Sequence, residues 1–379
     1  MHVGLNLVYL VPDETGGRET YARCLIPRLA ALGLRLTSFL NREAARDTSG
    51  PWHEAGEVVL VPASGRSRAQ WAAGEQLLLP RLAANAGVEV LHSLANFAPA
   101  WGPFARVVTV HDLLYARHPE FLSPLMRAGT RTLLPLGVRR SDRVVAVSAA
   151  SRDELTRLLG VPDDRIDVVP NGVELDPPQP TGEDELRSRL GLDRRRFALS
   201  VATHLPHKNL SALVDAAAAA SPDARPLYVI AGSGTDEDGA LAERARALGV
   251  EDHVRVLGRV SAADLEGLYR AAACLVVPSL YEGFGFPPVE AMARGVPVAC
   301  ADIPALREVA ANAAVYFDPR WPEAIARAVG TLLADDDRRT RLSDAGPIRA
   351  QAFTWSAAAR ATVASYERAL DQRRGRAFR

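Results

Sequence analysis

Residues 274–298 read CLVVPSLYEGFGFPPVEAMARGVPV, and this stretch decides the fold. Cys274 to Val277 is a short apolar run closed by Pro278, the pattern of a strand buried on both faces. Gly283 and Gly285 follow, in a loop where backbone can approach a ligand closely. Pro287 and Pro288 stand where a helix begins, because the fixed proline φ suits a first turn. The helix is expected to reach Arg294, with Gly295 ending it. Its N-terminus points back to the carboxyl end of the strand, where free N–H groups and the helix dipole favour an anion. Glu290 is placed in the first helical turn and Glu282 just before the glycines. Neither carboxylate suits a phosphate, but both can accept hydrogen bonds from the vicinal hydroxyls of a ribose or a hexose. Taken singly, Glu290 reads as a dipole complement and Glu282 as a turn cap. The glycines and prolines around them shift the reading to a site.

The same strand–turn–helix punctuation recurs on both sides. Apolar runs at 2–10, 57–61, 88–92, 106–111, 143–148 and 166–169 alternate with helical stretches, such as 19–32 with Tyr21, Leu25, Ile26 and Leu29 on one face. Residues 176–182, DPPQPTG, break the pattern, and it restarts with strands near 197–202, 226–231, 254–257, 274–277, 297–300 and 314–317. This predicts an α/β chain of two Rossmann-like, doubly wound domains facing a central cleft. The expected boundaries are 1–176, a linker over 177–185, and 186–354. A last helix over 355–370 is expected to pack back on the first domain, with residues 355–379 forming that segment.

Composition excludes several classes. The 379 residues are 48% hydrophobic and 24% charged, with a formal net charge of zero. Neither a basic nucleic-acid binder nor an acidic tail fits. Three separated cysteines, Cys24, Cys274 and Cys300, read as buried free thiols and not as a disulfide frame or a zinc site. Residues 2–10 lack the cationic start of a signal peptide, and no apolar run is long enough to span a bilayer. A cytoplasmic protein is expected. The cationic tail at 373–376 reads as a solvated terminus, with an anionic membrane contact as the minority reading. The helix over 121–140 reads as core packing with a charged outer face.

Lys208 is the only lysine among 45 basic residues. A chain that uses arginine everywhere else keeps one compact ammonium, which suits a crowded phosphate better than a planar fork does. It lies in SVATHLPHKNL, residues 200–210, just after a predicted strand. Asp335, Asp336 and Asp337 lie beside arginines and read as a solvated turn, so no metal site is expected.

The string from Glu282 to Val298 resembles the E-x7-E signature of the retaining GT-B glycosyltransferases of family four. The resemblance spans the chain. Residues 15–21, TGGRETY, are similar to the family's first glycine loop, which implies that Gly16 and Gly17 approach the donor diphosphate or the acceptor. VTVHDL, 108–113, is similar to the strand whose histidine, here His111, reaches the transferred sugar. Ser148, Ser151 and VPNGV at 169–173 also match, with Asn171 shaping the hinge. Lys208 falls where the family neutralises the leaving diphosphate. Many members add an arginine there; this chain has Thr203 and His207 at the two places. Backbone near Val260 is implied to read the base. Glu282 and the N–H groups of Gly283, Phe284, Gly285 and Phe286 are implied to hold sugar hydroxyls, and Glu290 the ribose.

The resemblance implies a retaining, metal-independent hexosyltransferase with no cofactor. It implies a nucleotide-diphosphate sugar, UDP- or GDP-hexose, as co-substrate and a sugar-bearing acceptor. A lipid-linked acceptor would bring the protein to the inner face of the membrane. The other readings are a GT-B sugar-nucleotide epimerase or phosphorylase, and a binding protein without catalysis.

Overall fold

The computed structural model describes residues 1–121, 124–175, 177–232 and 237–377. The chain divides into two compact units, Met1–Gly172 with Trp355–Arg379, and Val173–Thr354.

Among the described residues, unit 1 holds seven strands: β1 His2–Leu7, β2 Arg35–Leu40, β3 Glu57–Leu60, β4 Val90–Ser93, β5 Ala105–Val110, β6 Arg143–Ala146 and β7 Ile166–Val168. All pairs are parallel, in the order β3-β2-β1-β4-β5-β6-β7. Unit 2 holds β8 Phe197–Val201, β9 Leu227–Ala231, β10 Val254–Gly258, β11 Cys274–Val277, β12 Val298–Ala301 and β13 Ala314–Phe317. Its order is β10-β9-β8-β11-β12-β13, again all parallel. Both sheets therefore follow the doubly wound order, with strand order reversing between β1 and β4 and between β8 and β11. Ligands in such sheets bind beyond the strand carboxyl ends at these switch points.

Central strands are buried throughout, as parallel sheets covered on both faces require. The strand β2 is absent from the sequence-based expectation. Its apolar residues are interrupted by Arg35, Thr37 and Ser38, which blurs the run. Thr37 is buried because its hydroxyl meets His2 Nε2 at 2.8 Å.

Other differences are local. Residues 177–185 do not form a free linker. The Thr181 N–H donates to the Ala263 carbonyl and its hydroxyl to Asp264, and Glu183–Leu190 is already a helix of unit 2. The chain instead crosses at 172/173 and 354/355. Gly172 lies against the Trp355 backbone so closely that a Cβ would meet its nitrogen at 2.2 Å. Next to this, Val173 bridges to Thr354. Asp176, Ser233, Gly234, Leu122 and Ser123 lie outside the described residues. The helix expected over 121–140 is described from Pro124 to Arg140. Cys24 is only partly buried, unlike Cys274 and Cys300.

The last helix, Trp355–Ala377, packs in unit 1 against the helix Gly17–Ala31 and the strands β5 and β6. A polar chain fixes it. The Tyr366 hydroxyl meets His92 Nδ1 at 2.7 Å, His92 Nε2 meets the Thr109 hydroxyl at 2.8 Å, and that hydroxyl meets Tyr21 at 3.1 Å. The tail is not simply solvated, because Arg373 donates to the carbonyls of Phe104 and Gly102. No helix among the described residues is long and apolar enough to cross a membrane.

Candidate functional site

Lys208 and Glu282 both leave the switch point of unit 2, one in the loop after β8 and the other in the loop after β11. The first loop closes in a short 3-10 turn, Pro206–Lys208, which Asn209 ends with a left-handed backbone, φ 56°. Asn209 then ties the two loops together: its side-chain amide donates to the Pro278 carbonyl at 3.1 Å and to that of Pro319 at 2.9 Å. The Leu280 N–H donates to the His207 carbonyl at 2.8 Å. In this frame the Lys208 ammonium reaches Glu282 Oε1 at 2.7 Å. The Ser279 hydroxyl donates to the same oxygen at 2.8 Å. Both charged side chains are largely buried, 20% and 11% exposed, so the pair is held in place and not merely solvated.

Gly285 precedes the helix Phe286–Ala293 with φ 105°, and a Cβ there would meet Leu306 at 2.5 Å. Glycine is required on both counts. Pro287 and Pro288 occupy the first turn, as expected. They also remove two of its four N–H groups, so this helix offers an anion its dipole and fewer donors than an ordinary helix N-terminus. Phe284 is buried against Phe286 and Phe353, with ring centroids 5.6 Å apart in each pair. Its side chain is packing, so any contact it makes with a ligand is through its backbone.

Glu290 lies in the second helical turn and not the first, so it does not complement the dipole at the N-terminus. Its Oε2 accepts a hydrogen bond from the Tyr269 hydroxyl at 2.7 Å. Burial pushes its pKa above the ordinary carboxylate value, and Glu266 adds to this. Tyr269 and Arg294 oppose the shift. Thr203 is half-buried on the Lys208 loop, its carbonyl accepting from the Leu205 N–H at 2.8 Å. Val260 stands apart, just beyond β10 and past Gly258 with φ 62°.

In unit 1, Gly16 caps the helix Gly17–Ala31 with φ 62°, and its carbonyl accepts from the N–H groups of Glu19 and Thr20. Tyr21 of that helix packs edge-on to His111 at 4.8 Å. His111 follows β5 and is buried. Its Nε2 lies 2.7 Å from the Leu94 carbonyl and its backbone N–H donates to Asn96 Oδ1. A carbonyl can only accept, so Nε2 carries the proton and Nδ1 the lone pair. Burial lowers the pKa to about 4, with Arg18 acting the same way against Leu94 and Asp112. At neutral pH His111 is an uncharged hydrogen-bond acceptor.

Comparison with known proteins fits both halves of this arrangement. Residues 182–349 match the family model of glycosyl transferases group 1. Residues 15–177 match that of Glycosyltransferase Family 4. O-antigen chain mannosyltransferase B of Escherichia coli is 31% identical over 265 residues, covering 69% of this chain and 70% of that protein. The chain belongs to glycosyltransferase family 4. D-inositol 3-phosphate glycosyltransferase of Frankia alni is 36% identical over 242 residues, but the match covers 61% of this chain and only 60% of that one. Among solved structures, Anabaena HepE in complex with UDP and glucose superposes with a TM-score of 0.74 at 21% identity, over 95% of this chain and 97% of that one. That likeness shows the fold: this family-4 glycosyltransferase has the two Rossmann-like domains of the GT-B class.

Several positions in the family-4 chain carried no signal in the sequence. Ser279 lies between β11 and Glu282, and only its contact with Glu282 gives it a role. Tyr269 and Asn209 act through partners 21 and 69 positions away. Asp335 and Asp336 have structural partners, and Asp337 is exposed in the same helical turn. Asp335 caps the helix Asp336–Ala350 by accepting from the Arg338 N–H at 2.8 Å, and Asp336 pairs with Arg339 at 2.6 Å. Among the described residues no group of three His, Cys, Asp or Glu is placed to hold a metal.

Proposed function

We propose that this glycosyltransferase moves a hexose from a nucleotide-diphosphate sugar to a sugar-bearing acceptor, with retention of configuration and without a metal. The observation that carries the reading is the 2.7 Å contact of Lys208 with Glu282 at the switch point of unit 2, with Glu290 eight residues further on. Unit 2 binds the donor and unit 1 the acceptor. Glu290 takes the ribose, and backbone near Val260 takes the base. Glu282 Oε1 is engaged by Lys208 and Ser279, which leaves Oε2 to accept from hydroxyls of the transferred sugar, beside the N–H groups of Gly283 to Phe286.

As the bond from the anomeric carbon to the β-phosphate oxygen breaks, its electron pair stays on the diphosphate. Lys208, shared between Glu282 and that diphosphate, stabilises the growing charge. The acceptor hydroxyl bonds to the anomeric carbon on the face the phosphate leaves. Its proton passes to the departing phosphate oxygen. The products are the glycoside and the nucleoside diphosphate. In unit 1 the neutral His111 offers Nδ1 to a sugar hydroxyl. His207, when protonated, is the second cation on the diphosphate in place of the arginine that many relatives carry.

UDP with glucose in HepE and the mannosyltransferase name of the Escherichia coli relative support a hexose donor. A thermal-shift screen of UDP, GDP, ADP and dTDP, followed by labelled sugars of the nucleotide that binds, tests the reading. Transfer of label to a saccharide or inositol phosphate acceptor is expected. Saturable binding with neither transfer nor hydrolysis for any donor would replace the enzyme by a binding protein.

A further inference from the structure

Tyr269 is buried, 1% exposed, in the helix Ala262–Ala271. Its hydroxyl donates to Glu290 Oε2 at 2.7 Å. Two further contacts, both from Arg294, brace the Tyr269 ring against the Glu290 backbone. The Arg294 guanidinium lies 5.0 Å from the centroid of the Tyr269 ring and also donates to the Glu290 backbone carbonyl at 2.8 Å. Arg294 is in turn held by Glu266, which is 1% exposed and also pairs with Arg270 at 2.9 Å. Glu290 Oε1, by contrast, takes no hydrogen bond from the described residues. The carboxylate is thus tethered by one oxygen and open at the other.

We propose that Tyr269 is the positioning residue for ribose recognition: its hydroxyl fixes Oε2 of Glu290 so that Oε1 alone receives the ribose hydroxyls of the donor nucleotide. The proposal rests on the reading that Glu290 takes the ribose. A carboxylate free to rotate about its last bond would pay an ordering cost each time a nucleotide binds, and one held by a buried phenol does not. A buried tyrosine hydroxyl requires a partner, and here the partner is the ligand-binding group itself. Glu266, Tyr269 and Arg294 are the titratable groups that bear on the Glu290 carboxyl.

The test uses the full chain and its Tyr269→Phe and Glu290→Gln variants. Calorimetry measures UDP, GDP and ADP, each against its 2′,3′-dideoxy form. Tyr269→Phe keeps the ring under Arg294 and removes only the hydroxyl. It is expected to weaken the ribonucleotide that binds by about tenfold, the scale of a hydrogen bond to a charged group. The dideoxy form should be little changed, so the preference for ribose shrinks. A purely structural role for Tyr269 would lower the melting temperature and leave that preference intact, which overturns the proposal. If Glu290→Gln abolishes the preference and Tyr269→Phe does not, positioning fails while the ribose reading stands. If Glu290→Gln also leaves the preference unchanged, or no ribonucleotide binds, the ribose reading itself is overturned and the proposal with it.

Discussion

Lys208 carries its charge beside a carboxylate in a largely buried position, so geometry decides how useful that charge is. An ammonium satisfies Glu282 and still has two protons for a phosphate; a guanidinium fork spreads its donors in one plane over a longer reach. Lys208→Arg is therefore expected to lower turnover by at least about tenfold, the scale of one misplaced charge-assisted hydrogen bond. Its melting temperature should stay close to that of the wild type. Equal turnover would show that any cation suffices here. Glu290 gives a pH prediction. Burial raises its folded-state pKa above 4.5, so on acidification it loses its charge earlier than an exposed carboxylate would. Nucleotide affinity is expected to be full at neutral pH and to fall as pH drops through that raised value, and Glu290→Gln should flatten this acid limb in calorimetric titrations.

At the scale of elements, the last helix depends on a buried polar contact between Tyr366 and His92. Tyr366→Phe leaves His92 Nδ1 without its 2.7 Å partner inside unit 1. The expected cost is about 1–3 kcal/mol by denaturant titration, because a buried polar atom loses its partner. The histidines of this region also set an acid limit. Burial lowers His92 to about 3 and His111 to about 4, from 6.5 for an ordinary imidazole. The unfolded chain therefore takes up protons that the folded one refuses. No stability is lost above 6.5. As pH falls below 6.5 each histidine costs about 1.4 kcal/mol per pH unit, until its folded pKa is reached. Stability measured at pH 7 and 5.5 should show this slope, and His92→Gln should reduce it. Among the described residues, sequence periodicity located twelve of the thirteen strands. The thirteenth, β2, escaped because Thr37 is polar yet buried, and its burial is made possible by His2, 35 positions away.

At the scale of the whole molecule, the two units have different covalent standing. Unit 2 is one continuous segment, 173–354, whereas unit 1 needs both 1–172 and 355–379. A chain of residues 173–354 is expected to fold and bind the nucleoside diphosphate on its own, as judged by circular dichroism and calorimetry. A chain ending at 172 should be destabilised, because it lacks the helix that covers β5 and β6 and partners His92. Failure of the first to bind would place an essential donor contact in unit 1. The sequence by itself determined the alternation of strands and helices, the two parallel sheets, the loops that carry Lys208 and Glu282 and the helix that carries Glu290. Those features are written in short-range apolar periodicity and in glycine and proline punctuation. Only the tertiary structure decided which residues meet. Lys208 reaches Glu282 across 74 positions, Tyr366 reaches His92 across 274, and Glu290 takes Tyr269 as its partner. The chain crosses between units at 172/173 because Gly172 packs against Trp355, and residues 177–185 join unit 2 because Thr181 bonds to Ala263 and Asp264. Contacts of this kind depend on sheet order and loop closure, to which no local pattern in the chain is sensitive.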